Sequence, residues 1–115
     1  MRFFSLTLAA SLLLAGAAFA QDAAPQGNAD NGKKLFVTDG CYQCHGYAGQ
    51  GAPGYAPRIA PKLLPYQAFL KQLRQPRADM PPYETALVSD QAVADIYAFL
   101  KTTKDDDPKV VPSFY

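Results

Sequence analysis

The apolar positions of this chain fall into three blocks with helical spacing, separated by stretches that follow no period. In the first block, Leu35, Phe36 and Val37 follow a polar opening at Asn28 or Asp30. Either residue can cap a helix start, and an acid there suits the partial positive charge of the first turn. Asp39-Gly40 supplies the stop. The second block, Tyr66 to Arg74, carries Phe69, Leu70 and Leu73 on one face, with Pro65 suited to a first turn and Pro76 ending it. The third follows Ser89, a good N-cap, and runs through Lys101 with Val93, Ile96, Tyr97, Phe99 and Leu100 as its stripe. Gly32, inside the first helix, is unfavourable there by roughly 1 kcal/mol. That fits either a close approach by another helix or a helix that starts late.

Between the blocks, residues 46–61 hold glycines at 46, 49, 51 and 54 and prolines at 53, 57 and 61, a composition that predicts loop. A second loop, Arg77 to Val88, contains Met80-Pro81-Pro82-Tyr83. No alternating strand pattern and no internal repeat is present. The pattern predicts a small all-α domain of three to four helices with long loops.

The ends read differently. Arg2 precedes an apolar run from Phe3 to Ala18, and Ala18-Phe19-Ala20 gives the small-x-small pattern that signal peptidases cut after. Residues 1–20 are therefore expected to be a cleaved signal peptide. An uncleaved membrane anchor is the alternative for an apolar run of this length, but the cleavage pattern and the polar run Gln21 to Asn31 favour export. Residues 21–27 read as a linker, 28–103 as the domain, and 104–115 as a tail whose acidic run, Asp105 to Asp107, is expected to be solvated. Removing Arg2 leaves ten basic against ten acidic residues, a balance that excludes a nucleic-acid binder. About 95 mature residues make a small core, and chains of this size often need a staple or a bound group.

The chemistry concentrates in Cys41-Tyr42-Gln43-Cys44-His45. Cys-x-x-Cys-His is the pattern of covalent c-type haem attachment. Cysteines three apart on a helical turn face the same way and can form thioethers with two vinyl groups of one porphyrin. His45 then offers a neutral ring nitrogen as axial ligand. Three rivals share these residues. In an oxidising compartment the cysteines could be a disulfide, although so short a loop would stabilise little. A structural zinc needs four ligands, usually in two clusters, and no second cluster exists. Thioredoxin-like chemistry needs a βαβ setting. Haem accounts together for both cysteines, the single histidine and the single methionine left after cleavage. By default that methionine, Met80, is a flexible core filler. Its neighbours, Asp79 before and two prolines after, suit that role poorly and would instead hold the sulfur in a fixed direction. The chain between His45 and Met80 is long enough to reach the other face of a porphyrin, which favours Met80 as second axial ligand.

Over nearly the whole mature chain these segments resemble a class I cytochrome c, of the small bacterial monohaem kind. Gly32-Lys33-Lys34-Leu35-Phe36-Val37 is similar to that family's first helix, whose glycine and aromatic pack against the last. Asp95-Ile96-Tyr97-Ala98-Phe99-Leu100-Lys101 is similar to that last helix, so the resemblance favours a helix crossing at Gly32. Ala56-Pro57-Arg58-Ile59 resembles the segment whose proline carbonyl accepts the histidine ring N–H, which would make Pro57 the group that orients His45. Met80-Pro81 resembles the ligand loop. The sequence departs from several relatives in having no Trp to bond a haem propionate; Tyr55, Tyr66, Tyr83 and Arg58 are the replacements available.

The resemblance implies a cytochrome c fold around one covalent haem c with its iron, and a periplasmic one-electron carrier that is not an enzyme. Cys41 and Cys44 would be the thioether residues, and His45 and Met80 the axial ligands. Electrons would pass from an exported dehydrogenase to a terminal oxidase or reductase. A thioether ligand favours ferrous iron and raises the potential. The alternatives are a haem subunit of a dehydrogenase complex, a haem peroxidase with Met80 off the iron, and a thiol–disulfide protein without haem. Between Arg58 and Arg77 lie five basic residues (Arg58, Lys62, Lys71, Arg74, Arg77) and no acid. This segment is expected to steer transient docking of a monomer onto an acidic partner surface.

Overall fold

The computed structural model describes residues 23–104. The expected signal peptide, the first two linker residues and residues 105–115 of the tail lie outside the described residues. Four helices follow one another: α1 (Ala29–Thr38), α2 (Cys41–His45), α3 (Tyr66–Arg74) and α4 (Asp90–Thr102). No strand occurs among the described residues; Ala52 and Ala56 form an isolated bridge. Two starts are capped as their residues dictate. The Asn28 side chain accepts the Asn31 N–H at 3.0 Å, and the Ser89 hydroxyl accepts the Ala92 N–H at 3.1 Å. Helix α3 occupies the range its apolar spacing predicts, with Pro65 as its N-cap residue. Helix α4 runs one residue past the predicted Lys101.

The core is the crossing of α1 and α4. Gly32 is buried there, and a Cβ on it would overlap the Asp95 carbonyl of α4. Close helix approach is thus the reason for this glycine. One turn later Phe36 meets Phe99 at a ring separation of 5.6 Å. Helix α3 joins through Tyr66 and Phe69, whose rings stand edge-on to Tyr97 at 5.3 and 5.1 Å, and the Tyr97 hydroxyl donates to the Leu64 carbonyl at 2.8 Å.

One polar group is built into this apolar crossing. Asp95 is 5% exposed, and its carboxylate accepts the Asn28 N–H at 2.8 Å, the Asn31 amide at 2.8 Å and the Gln91 amide at 3.0 Å. These bonds, the Asn28 N–H foremost, hold its carboxyl below the ordinary 3.8. Gln91 also donates to the Gln26 carbonyl at 3.1 Å. The stretch expected as linker therefore packs on α4 at Gln26, upstream of the capping residue.

Candidate functional site

Helix α2 is a single turn, closed by the Gln43 N–H donating to Gly40 and the Gly46 N–H to Tyr42, at 3.1 and 2.9 Å. It places Cys41, Cys44 and His45 within that turn. Cys41 and Cys44 are half-buried thiols not bonded to each other. Burial first, and the Asp39 charge second, push the Cys41 thiol up to about 11. Cys44 Sγ donates to the Tyr55 hydroxyl at 3.9 Å; that bond is the leading cause raising the Tyr55 hydroxyl.

His45 is held by the loop that follows. The Gly51 N–H donates to the His45 carbonyl at 2.7 Å, the Ala52–Ala56 pair turns the chain, and the Ile59 and Ala60 N–H groups donate to Gly49 at 2.8 and 3.1 Å. This returning loop brings the Pro57 carbonyl to 2.9 Å from His45 Nδ1. A proline carbonyl can only accept, so Nδ1 carries the proton and Nε2 keeps its lone pair for a metal. Gly51 makes the turn possible: its φ is +75°, and a Cβ would lie 2.5 Å from the Arg58 nitrogen.

Met80 sits in the second loop, half-buried and packed against the core together with Cys41, Tyr83, Leu63, Leu70 and Ile59. Its Sδ accepts from the Gln72 amide at 3.6 Å, and Gln72 in turn accepts from Arg77 Nε at 3.4 Å. Tyr83 closes the same loop, its hydroxyl donating to the Asp39 carbonyl just before α2 at 3.3 Å. Burial, with Cys41 and Cys44 adding to it, pushes that hydroxyl up to about 12.

The donor set matches what a covalently attached haem needs. Two free thiols share one turn, a histidine has one ring nitrogen held and the other available, and a half-buried thioether packs against the core. Of the four residues weighed as propionate partners, Tyr66 donates to the Asp90 carbonyl at 3.3 Å and Tyr83 to Asp39. Tyr55, which accepts from Cys44, and Arg58 line an open cleft with Pro57.

Arg74 departs from its expected place in the basic surface. Its side chain is 18% exposed, and its guanidinium donates to the Tyr83 and Val88 carbonyls at 2.7 and 2.8 Å and to the Asp90 carboxylate. Gln72 and Asp95 were not singled out from sequence. Arg74 and Asp95 did carry a signal, since each lies four residues from an apolar face position, Leu70 and Phe99 respectively. Gln72 carried none.

An all-α domain with Cys-x-x-Cys-His on a short helix between two crossing helices defines a c-type cytochrome. Residues 27–100 match the family described as cytochrome C oxidase, cbb3-type, subunit III, and the chain belongs to this family of cytochrome c domains. It is also 29% identical over 102 residues to cytochrome c-555 of Methylococcus capsulatus, across 86% of this chain and 82% of that protein. The protein is thus a haem-based electron carrier with covalently bound haem c, and not an enzyme.

Proposed function

We propose that this cytochrome is an exported, periplasmic one-electron carrier in which Cys41 and Cys44 attach the haem, and His45 and Met80 are the axial ligands. The observation that carries the reading is the 2.9 Å bond from His45 Nδ1 to the Pro57 carbonyl. It sets the tautomer, aims Nε2 and raises the basicity of the ring, on the same turn as both thiols. The bound haem supplies a ferrous–ferric couple that accepts and returns one electron. The thioether of Met80 would favour the reduced form, and the apolar core packed against it would disfavour the added positive charge of the oxidised form. With His45 and Met80 both holding the iron, no position would be open for a substrate, which weighs against the peroxidase alternative.

Export is supported by the apolar run ending in Ala18-Phe19-Ala20. Among the described residues no helix is long and apolar enough to cross a membrane. The family's description as an oxidase subunit supports a terminal oxidase as electron acceptor, reached either by shuttling or by docking.

Holoprotein matured in an exporting host tests the ligand set. Met80→Ala should lose the weak red absorption band of thioether-ligated ferric iron and lower the reduction potential. An unchanged band and potential would overturn the assignment of Met80.

A further inference from the structure

We propose that Arg74 is a positioning residue whose guanidinium latches the loop carrying Met80, and so governs how often the iron's Met80 side opens to outside ligands. The inference rests on the reading of Met80 as an axial ligand.

The last turn of α3 grips the loop peptide at Tyr83 from both sides. The Tyr83 N–H donates to the Leu73 carbonyl at 2.8 Å, and the adjacent Arg74 Nη1 donates to the Tyr83 carbonyl at 2.7 Å. The same nitrogen donates to the Val88 carbonyl at 2.8 Å, so one guanidinium ties together residues five apart along the loop. Its Nη2 reaches the Asp90 carboxylate in the first turn of α4. Tyr83 is fastened at its far end to the Asp39 carbonyl, next to the cysteine turn.

Met80 is separated from this anchor by Pro81 and Pro82 alone. Their rings fix φ at both positions, so the direction of residue 80 follows the placement of Tyr83. A half-buried guanidinium is costly to desolvate unless its donors are used, and here two backbone carbonyls and a carboxylate use them. The planar fork matters. One ammonium on a flexible stem does not reproduce three donors with fixed directions. Swinging Met80 away requires breaking the Arg74 bonds together, and the rate at which an outside ligand enters scales with the open fraction.

The test compares imidazole binding to ferric holoprotein, together with hydrogen exchange at the Tyr83 amide, which is a readout independent of iron ligation. Charge-assisted bonds of this kind set the scale, so Arg74→Gln should speed both by about tenfold or more, and Arg74→Lys should recover only part of the difference. Gly32→Ala, which loosens the α1–α4 crossing, should lower thermal stability while leaving both rates near wild type. An Arg74→Gln protein with wild-type rates, or a Gly32→Ala protein accelerated equally, would overturn the latch. If Arg74→Gln gives no folded holoprotein, Asp90→Asn removes the carboxylate and leaves both carbonyl bonds. It must then accelerate both processes by a smaller factor, and wild-type rates would again count against the latch. Met80→Ala separates the two readings: wild-type imidazole binding in that variant overturns the ligation itself, whereas fast binding there beside slow binding in Arg74→Gln overturns the latch alone.

Discussion

Asp95 is the residue where burial and charge meet most directly. A carboxylate 5% exposed inside a helix crossing would be destabilising alone, but three donors from Asn28, Asn31 and Gln91 satisfy it. Because its folded pKa lies below the ordinary 3.8, it contributes stability that is fully present above that value. The contribution is lost as pH falls through the lower folded value. Asp95→Asn should therefore cost roughly 1–3 kcal/mol at neutral pH, the cost of weakening bonds to a charged acceptor and leaving donors mismatched. Urea midpoints measured at neutral pH and below 3.8 should show the gap to wild type closing in acid. The sequence placed Asp95 in the last helix without predicting its burial. Nothing in a single chain names three partners more than sixty positions away (Asn28, Asn31) or one turn back (Gln91).

At the level of elements, α1 and α4 behave as one unit through Gly32. The predicted starts and ends of the helices stand to within one residue, α4 running on to Thr102, because capping and apolar spacing are local properties of the chain. Whether Gly32 marked a crossing or a late start was open from spacing alone; it is decided by the Asp95 carbonyl occupying the space of a Cβ. Gly32→Ala gains intrinsic helix propensity yet forces two backbones apart, so it should destabilise by roughly 1–3 kcal/mol. Denaturant unfolding of the holoprotein measures the sign, and a stabilised variant would mean that the crossing relaxes freely. The loops contrast with the helices. Residues 46–61 were legible as loop, but the return of Pro57 to His45 depends on the Gly51 turn and the Ala52–Ala56 pair, which composition does not specify.

For the whole molecule, charge is arranged by commitment rather than by count. Five basic residues between Arg58 and Arg77 read as one docking surface, but Arg74 is paired with Asp90 and turned into the loop that carries Met80. Lys62 and Lys71 remain exposed. The Lys62→Glu, Lys71→Glu double variant should slow electron transfer to the native partner at low salt and flatten the dependence on ionic strength, because steering acts on association rate. Stopped-flow kinetics across a salt series checks this; an unaltered salt dependence would remove these lysines from the docking surface.

The amino-acid sequence by itself determined the helices, the loops and the Cys-x-x-Cys-His pentapeptide. Each depends on residues within a turn or two of one another, and local propensity and spacing are written along the chain. Pro57 was expected against His45 from the resemblance, and the returning loop places it there. Tertiary structure alone decided that Gln72 reaches the Met80 sulfur and that Arg74 binds two loop carbonyls and Asp90 inside the fold. Those roles arise from long-range contacts, where hydrogen-bond direction and excluded space choose the partner and periodicity carries no information about it.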